Sequence, residues 1–131
     1  MYQADSLRLN GFARVDSFFS VEEVLEVEGM LDRVIYNKKN YSQSSVDFNR
    51  PSCFDKALLK SKMYKKCRKF ASGLFKSKAY YAYDHAIYKL PRTKRNEAHQ
   101  DQMYLGSNFL FESLNFWIPL QDADEANGTI E

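Results

Sequence analysis

Residues 80–120 decide the fold class, and they read YYAYDHAIYKL (80–90), PRTKRN (91–96), EAHQDQMYLGSN (97–108) and FLFESLNFWIPL (109–120). The first and last runs are rich in aromatic and β-branched residues, which predicts two strands. Pro91 ends the first strand, residues 92–96 predict a loop, and the run DADEANG at 122–128 predicts a turn. Strand, loop, polar motif, strand and turn is the order in which an antiparallel β-barrel or jelly roll places ligands at its open end.

The polar motif contains a His-x-Asp pair, His99 and Asp101. Residues two apart on an extended strand point to the same face, about 7 Å apart along the backbone, so both side chains can reach one metal ion. A neutral imidazole and a carboxylate are two of the three ligands of the facial triad that holds non-heme Fe(II) in oxygenases. No histidine follows Asp101 in the sequence, so the motif predicts an iron site of which this chain carries only part.

Several segments, in this order, resemble the phytanoyl-CoA dioxygenase family of Fe(II)- and 2-oxoglutarate-dependent oxygenases. Residues 10–23 are similar to the family's opening strand and first helix. The other segments are residues 87–89 with the nearby proline, His99-Gln-Asp101 followed by Tyr104, residues 116–120, and the turn that closes on Asn127-Gly128. The resemblance covers most of the chain, apart from about residues 37–78.

The resemblance implies that His99 and Asp101 are the first two iron ligands. Trp117 matches a position that lines the 2-oxoglutarate pocket, and His85 falls near the same co-substrate. Tyr104 is expected to line the pocket or to flank the ligands. The family's third ligand, a histidine, and its 2-oxoglutarate-binding arginine lie further along than Glu131. We therefore expect this chain to be the N-terminal part of such a hydroxylase, with Fe(II) and 2-oxoglutarate as cofactors. Beyond the residues that bind the metal and the co-substrate, we expect no catalytic residue in it.

The expected fold is α+β with a mainly β core, a double-stranded β-helix of the jelly roll or cupin type that is apparently truncated. Residues 1–78 would form a mostly helical N-terminal layer, and residues 79–131 the first strands. Ser20-Val-Glu-Glu23 predicts a capping box at the start of one helix. The apolar spacing in residues 55–75 predicts a second helix, with Asp55 as its cap. Residues 41–52 predict a loop.

Nine lysines and arginines lie in residues 56–78, although the whole chain has a net charge of only +2. Such a segment is either the solvated face of an amphipathic helix, which we expect, or a surface for nucleic acid, anionic lipid or the phosphates of an acyl-CoA. The interleaved aromatic residues typical of single-strand binding are missing, so we expect no nucleic-acid partner.

Composition indicates one domain, with 44% hydrophobic residues to form a core in a chain of 131 residues. No apolar run approaches the ~20 residues of a membrane span, and the N-terminus lacks a signal-peptide pattern, so we expect a cytoplasmic protein. The two cysteines, Cys53 and Cys67, lack metal or redox spacing and are expected to be incidental thiols.

Two other interpretations of the same residues stay open. In the first, the chain is a non-catalytic truncated homologue or a small binding domain that reuses the half-barrel. In the second, it is a cupin-like metal enzyme that does not use 2-oxoglutarate. The substrate would be a small molecule or an acyl-CoA-like compound. Open sheet edges would favour an oligomer.

Overall fold

The computed structural model describes residues 2–37, 45–89, 99 and 112–130, and it confirms an α+β chain. Its helices are α1 (Tyr2–Asn10), α2 (Val21–Asn37) and α3 (Lys62–Phe75), its strands are β1 (Ser45–Asn49) and β2 (His85–Lys89), and two 3₁₀ turns span Pro51–Cys53 and Leu58–Lys60. Helix α1 was not predicted, and residues 11–20, where an opening strand was expected, form none. The double-stranded β-helix remains a prediction.

The capping box of helix α2 is confirmed. The Glu23 backbone N–H donates to Ser20 Oγ at 3.3 Å, and the Ser20 backbone N–H donates to Glu23 Oε2 at 3.0 Å. Each side chain thereby satisfies a donor that the first helical turn leaves without a partner. Lys66 Nζ also lies 2.6 Å from Glu23 Oε2, so the same carboxylate ties α3 to the start of α2.

Strands β1 and β2 form an antiparallel pair in which Asp47 lies opposite Ile87 and Asn49 opposite His85. The prediction of a loop over residues 41–52 is therefore wrong for Ser45–Asn49. Val46 and Phe48, a β-branched and an aromatic residue, alternate with polar residues as in a strand. The serines that precede them are the reason why the sequence predicted a loop. The predicted strand at 80–90 is confirmed only from His85 onward.

Helix α3 begins at Lys62, and its N-cap is Ser61, six residues beyond the predicted cap Asp55. The Tyr64 backbone N–H donates to Ser61 Oγ at 3.3 Å. Asp55 instead accepts a bond from the Ala57 backbone N–H at 2.8 Å and stabilises the turn before Leu58–Lys60. The apolar periodicity continued through this turn, which is why the sequence overestimated the length of the helix.

The core forms where α2, α3, the second 3₁₀ turn and β2 meet. Its buried members are Val27, Leu31, Leu58, Met63 and Ala86, and Ile118 and Leu120 pack against it. Residues 112–120, predicted as part of a strand, form none. Their side chains nevertheless alternate between half-buried and exposed from Leu114 to Leu120, which is the period of a strand without the ladder.

The predicted turn near the end of the described chain is confirmed. Asp124 accepts backbone bonds from Ala126 and Asn127 at its carboxylate, and Gly128 has φ 105°, a conformation that glycine adopts without a steric penalty. The Asp124 carboxylate therefore serves the turn itself. In the described part of the chain, no helix combines the length and the apolar character needed to cross a membrane.

Candidate metal centre

The residues predicted to hold iron are only partly within the described chain. His99 is described and its side chain is exposed, whereas Asp101 and Tyr104 lie outside the described residues. Trp117 is 52% exposed, on the side of its segment that faces away from the core.

His85 lies at the start of strand β2 and contacts the neighbouring strand. Because Asp47 is opposite Ile87 in the sheet register, it is the diagonal neighbour of His85 on the same face. The His85 Nε2 atom and the Asp47 carboxylate are hydrogen-bonded, and both side chains are exposed. The predicted co-substrate residue therefore already has a polar partner within the sheet.

The donor set of the motif fits Fe(II) in its chemistry. His99 offers an imidazole nitrogen and Asp101 a carboxylate oxygen, the ligand types that non-heme iron takes from proteins. Among residues 2–37, 45–89, 99 and 112–130, no group of three or more His, Cys, Asp or Glu side chains is placed to hold a metal. The prediction of a metal site thus rests on the His-x-Asp motif in the sequence, of which only His99 lies in the described chain.

The best-connected polar group of the described chain is the carboxylate of Asp84, which sequence reasoning did not single out. Its Oδ2 accepts bonds from the Ser52 backbone N–H at 3.1 Å and from the Tyr64 hydroxyl at 2.5 Å. Its Oδ1 accepts bonds from the Ser52 hydroxyl at 2.9 Å and the Tyr81 hydroxyl at 2.6 Å. We call these four residues the Asp84 cluster. Only the short spacing of Tyr81 and Asp84 could have suggested it.

The Asp84 cluster lies where the two-stranded sheet ends. The Arg50 backbone N–H donates to the Asp84 carbonyl at 2.8 Å, directly beyond the last paired residues, Asn49 and His85. Arg50 has φ 56°, in the left-handed region that non-glycine residues seldom adopt, and it precedes the buried Pro51. Asp84 therefore holds this turn through both its backbone and its side chain, and it fixes where β2 begins.

Burial and the Asp84 carboxylate together keep the two tyrosines of the cluster protonated. Burial, and then the hydrogen bond to Asp84, raises the pKa of Tyr81 to about 12. The same two causes raise the pKa of Tyr64 further. Both hydroxyls therefore remain donors throughout the neutral range. Burial also raises the pKa of the Cys67 thiol to about 11, and both cysteines are free thiols.

We expect the protein to lose stability at alkaline pH because of these tyrosines. Their pKa values in the folded protein lie above the ordinary value of 10.0, so the unfolded chain loses its protons first. The stabilisation is complete below pH 10 and falls as the pH rises toward about 12. Urea unfolding measured at a series of pH values would show this slope, and a Tyr64→Phe/Tyr81→Phe variant should have a shallower one. An equal slope in the two proteins would contradict the prediction.

Comparison with known proteins gives one family. The profile of the phytanoyl-CoA dioxygenase family matches residues 7–131, which includes the His-x-Asp motif and the segment of Trp117. No curated protein and no solved structure gives a significant match. Because the family match spans nearly all of the 131 residues, the chain belongs to the phytanoyl-CoA dioxygenase family.

Proposed function

We propose that this chain contributes the first two iron ligands of an Fe(II)- and 2-oxoglutarate-dependent dioxygenase, with His99 and Asp101 in that role. The single observation that carries the proposal is the His-x-Asp motif within a family match that runs from residue 7 to residue 131. Membership of the family supports a dioxygenase type of function.

The motif favours His99 over His85 as the ligand. The chain has only two histidines, and Asp101 lies two residues after His99, whereas the positions two residues from His85 hold Tyr83 and Ile87. An imidazole and a carboxylate at that spacing on an extended strand can reach one metal ion from the same face.

The ligands of the motif would leave part of the iron coordination sphere open. A bound iron, with 2-oxoglutarate and O₂, supplies the oxidation of an unactivated C–H bond. The protein residues would hold the metal through one neutral nitrogen and one charged oxygen, and the Trp117 indole would offer an apolar wall to the co-substrate. The family completes its site with a further histidine and an arginine, and these 131 residues contain no histidine after Asp101.

Titration of the full 131-residue chain with Co(II), a redox-stable probe for Fe(II) sites, tests the proposal. We expect saturable binding of one Co(II) per chain, followed by a change in the visible spectrum when 2-oxoglutarate is added. Binding that never saturates would contradict the metal site. A cobalt spectrum that 2-oxoglutarate leaves unchanged would contradict the co-substrate and favour a metalloprotein of another type.

A further inference from the structure

The charge of this chain is concentrated in one segment. Residues 56–78 contain nine lysines and arginines and no Asp or Glu. The other 108 residues contain ten lysines and arginines and seventeen Asp and Glu residues, so their net charge is −7. All nine side chains are exposed: Lys56, Lys60, Lys62, Lys65, Lys66, Arg68, Lys69, Lys76 and Lys78. We call residues 56–78 the basic segment.

Helix α3 places its charge on one side. Lys62, Lys65, Lys66 and Lys69 stand at i, i+3, i+4 and i+7, a spacing that puts side chains on one face of a helix. Met63 and Ala71 are buried on the opposite face. Lys62 and Lys69 are seven residues apart, about 10 Å along the helix axis, so the four lysines form a short strip on the first half of α3.

Carboxylates of α2 compensate part of the positive charge on this face of α3, and the rest of the charge is not compensated. Lys66 donates to Glu23 Oε2 at 2.6 Å, which uses its charge to hold two helices together. The Ser20 side chain and, more weakly, the Lys62 charge hold the pKa of Glu22 below its usual value. Lys65 and Lys69 have no ion-pair partner in the described part of the chain. Their charges are therefore directed outward.

Apolar side chains flank the helix at both ends. Leu59, in the 3₁₀ turn before α3, is 38% exposed between Lys56 and Lys60. Tyr80, beyond the end of α3, is 78% exposed, and the Lys78 ammonium lies 5.1 Å from the centre of its ring. Tyrosine and lysine side chains both suit the boundary between water and lipid, because each has an apolar body and a polar end that stays hydrated.

We propose that the basic segment is a docking surface for an anionic membrane. Clusters of four to eight lysines and arginines on an amphipathic helix are typical of sites that bind acidic phospholipid headgroups. Four of the exposed residues of α3 are lysines, with Arg68 beside them, and lysines act as point charges on a plane of phosphates. Sequence-specific DNA binding would instead require side chains that make bidentate hydrogen bonds to base edges, such as arginine, asparagine or glutamine.

Flotation of the full chain with vesicles tests this docking surface. We expect the protein to float with phosphatidylcholine vesicles that contain phosphatidylserine but not with pure phosphatidylcholine, and to be released as salt screens the charges. The Lys65→Gln/Lys69→Gln variant should partition about 30-fold less well, about fivefold for each lysine charge removed from the surface. Glutamine forms helices about as well as lysine, and circular dichroism would verify that α3 persists.

An Arg8→Gln/Arg33→Gln variant is the matched control. Arg8 and Arg33 are exposed cations of α1 and α2, so this variant has the same net charge but an intact basic segment. It should partition within about twofold of the unmodified chain if the effect is local. An equal loss in both variants would overturn the proposal in favour of general charge attraction. Binding to a DNA duplex without binding to the acidic vesicles would overturn it in favour of nucleic acid.

Discussion

Replacing Asp84 with alanine should lower the free energy of unfolding by about 3 kcal/mol, as measured by urea denaturation. The carboxylate accepts four hydrogen bonds, two from Ser52 and one each from Tyr64 and Tyr81. Ser52 is only 3% exposed, so water would not readily replace the lost acceptor. Donors left without a partner away from water cost more than the bonds themselves contribute.

Asp16→Ala is the matched control for this substitution. Asp16 pairs with Arg14 at 2.7 Å, but both side chains are largely exposed, and such pairs contribute less than about 1 kcal/mol. The tyrosines provide a graded test, because Tyr64→Phe and Tyr81→Phe each remove one donor and should cost about 1 kcal/mol. Equal stability of the Asp84→Ala and Asp16→Ala variants would show that the Asp84 cluster does not hold the fold.

Replacing His99 or Asp101 with alanine should weaken Co(II) and Fe(II) binding by more than the roughly 10- to 100-fold that loss of an outer-shell partner costs. Each substitution removes one of the two donors that the motif is proposed to supply, and a single remaining ligand cannot hold a divalent ion against water. Equilibrium dialysis under anaerobic conditions, with the metal in the outer compartment, would measure the affinity of each variant directly.

His85→Ala is the control for metal binding, because it removes the only other imidazole of the chain. Its partner in the structure is Asp47, so its loss should leave the metal affinity unchanged and disturb only the sheet. An Asp101→Asn variant should bind more weakly than the unmodified chain because the amide lacks the charge of the carboxylate. Unchanged affinity in both His99→Ala and Asp101→Ala would refute the ligand assignment.

Local signals in the sequence predicted their structures well. Ser20 and Glu23 form the reciprocal bonds of a capping box, and Gly128 has the positive φ expected of a tight reversal. Each of these features depends on residues within one turn of each other. The His-x-Asp motif is equally local, and the family match that includes it is consistent with its interpretation.

Contacts between distant segments were predicted poorly. Strand β1 exists because β2 supplies its hydrogen-bonding partner some forty residues further along, which its own five residues do not reveal. The start of α3 was placed too early because an apolar repeat does not distinguish a 3₁₀ turn from the helix that follows it. Residues 112–120 show the reverse case, a strand-like alternation without a neighbouring strand in the described part of the chain.

The sequence by itself determined the family, the α+β class, the capping box of α2, the turn that closes on Gly128, and the pair of residues proposed to hold iron. Only the tertiary structure showed that Asp84 joins Ser52, Tyr64 and Tyr81, and that Asp47 binds His85. Ser52 and Asp84 are 32 residues apart, and Asp47 and His85 are 38 apart. No periodicity links such positions, because they meet only after the β1–β2 register and the packing of α3 bring them together.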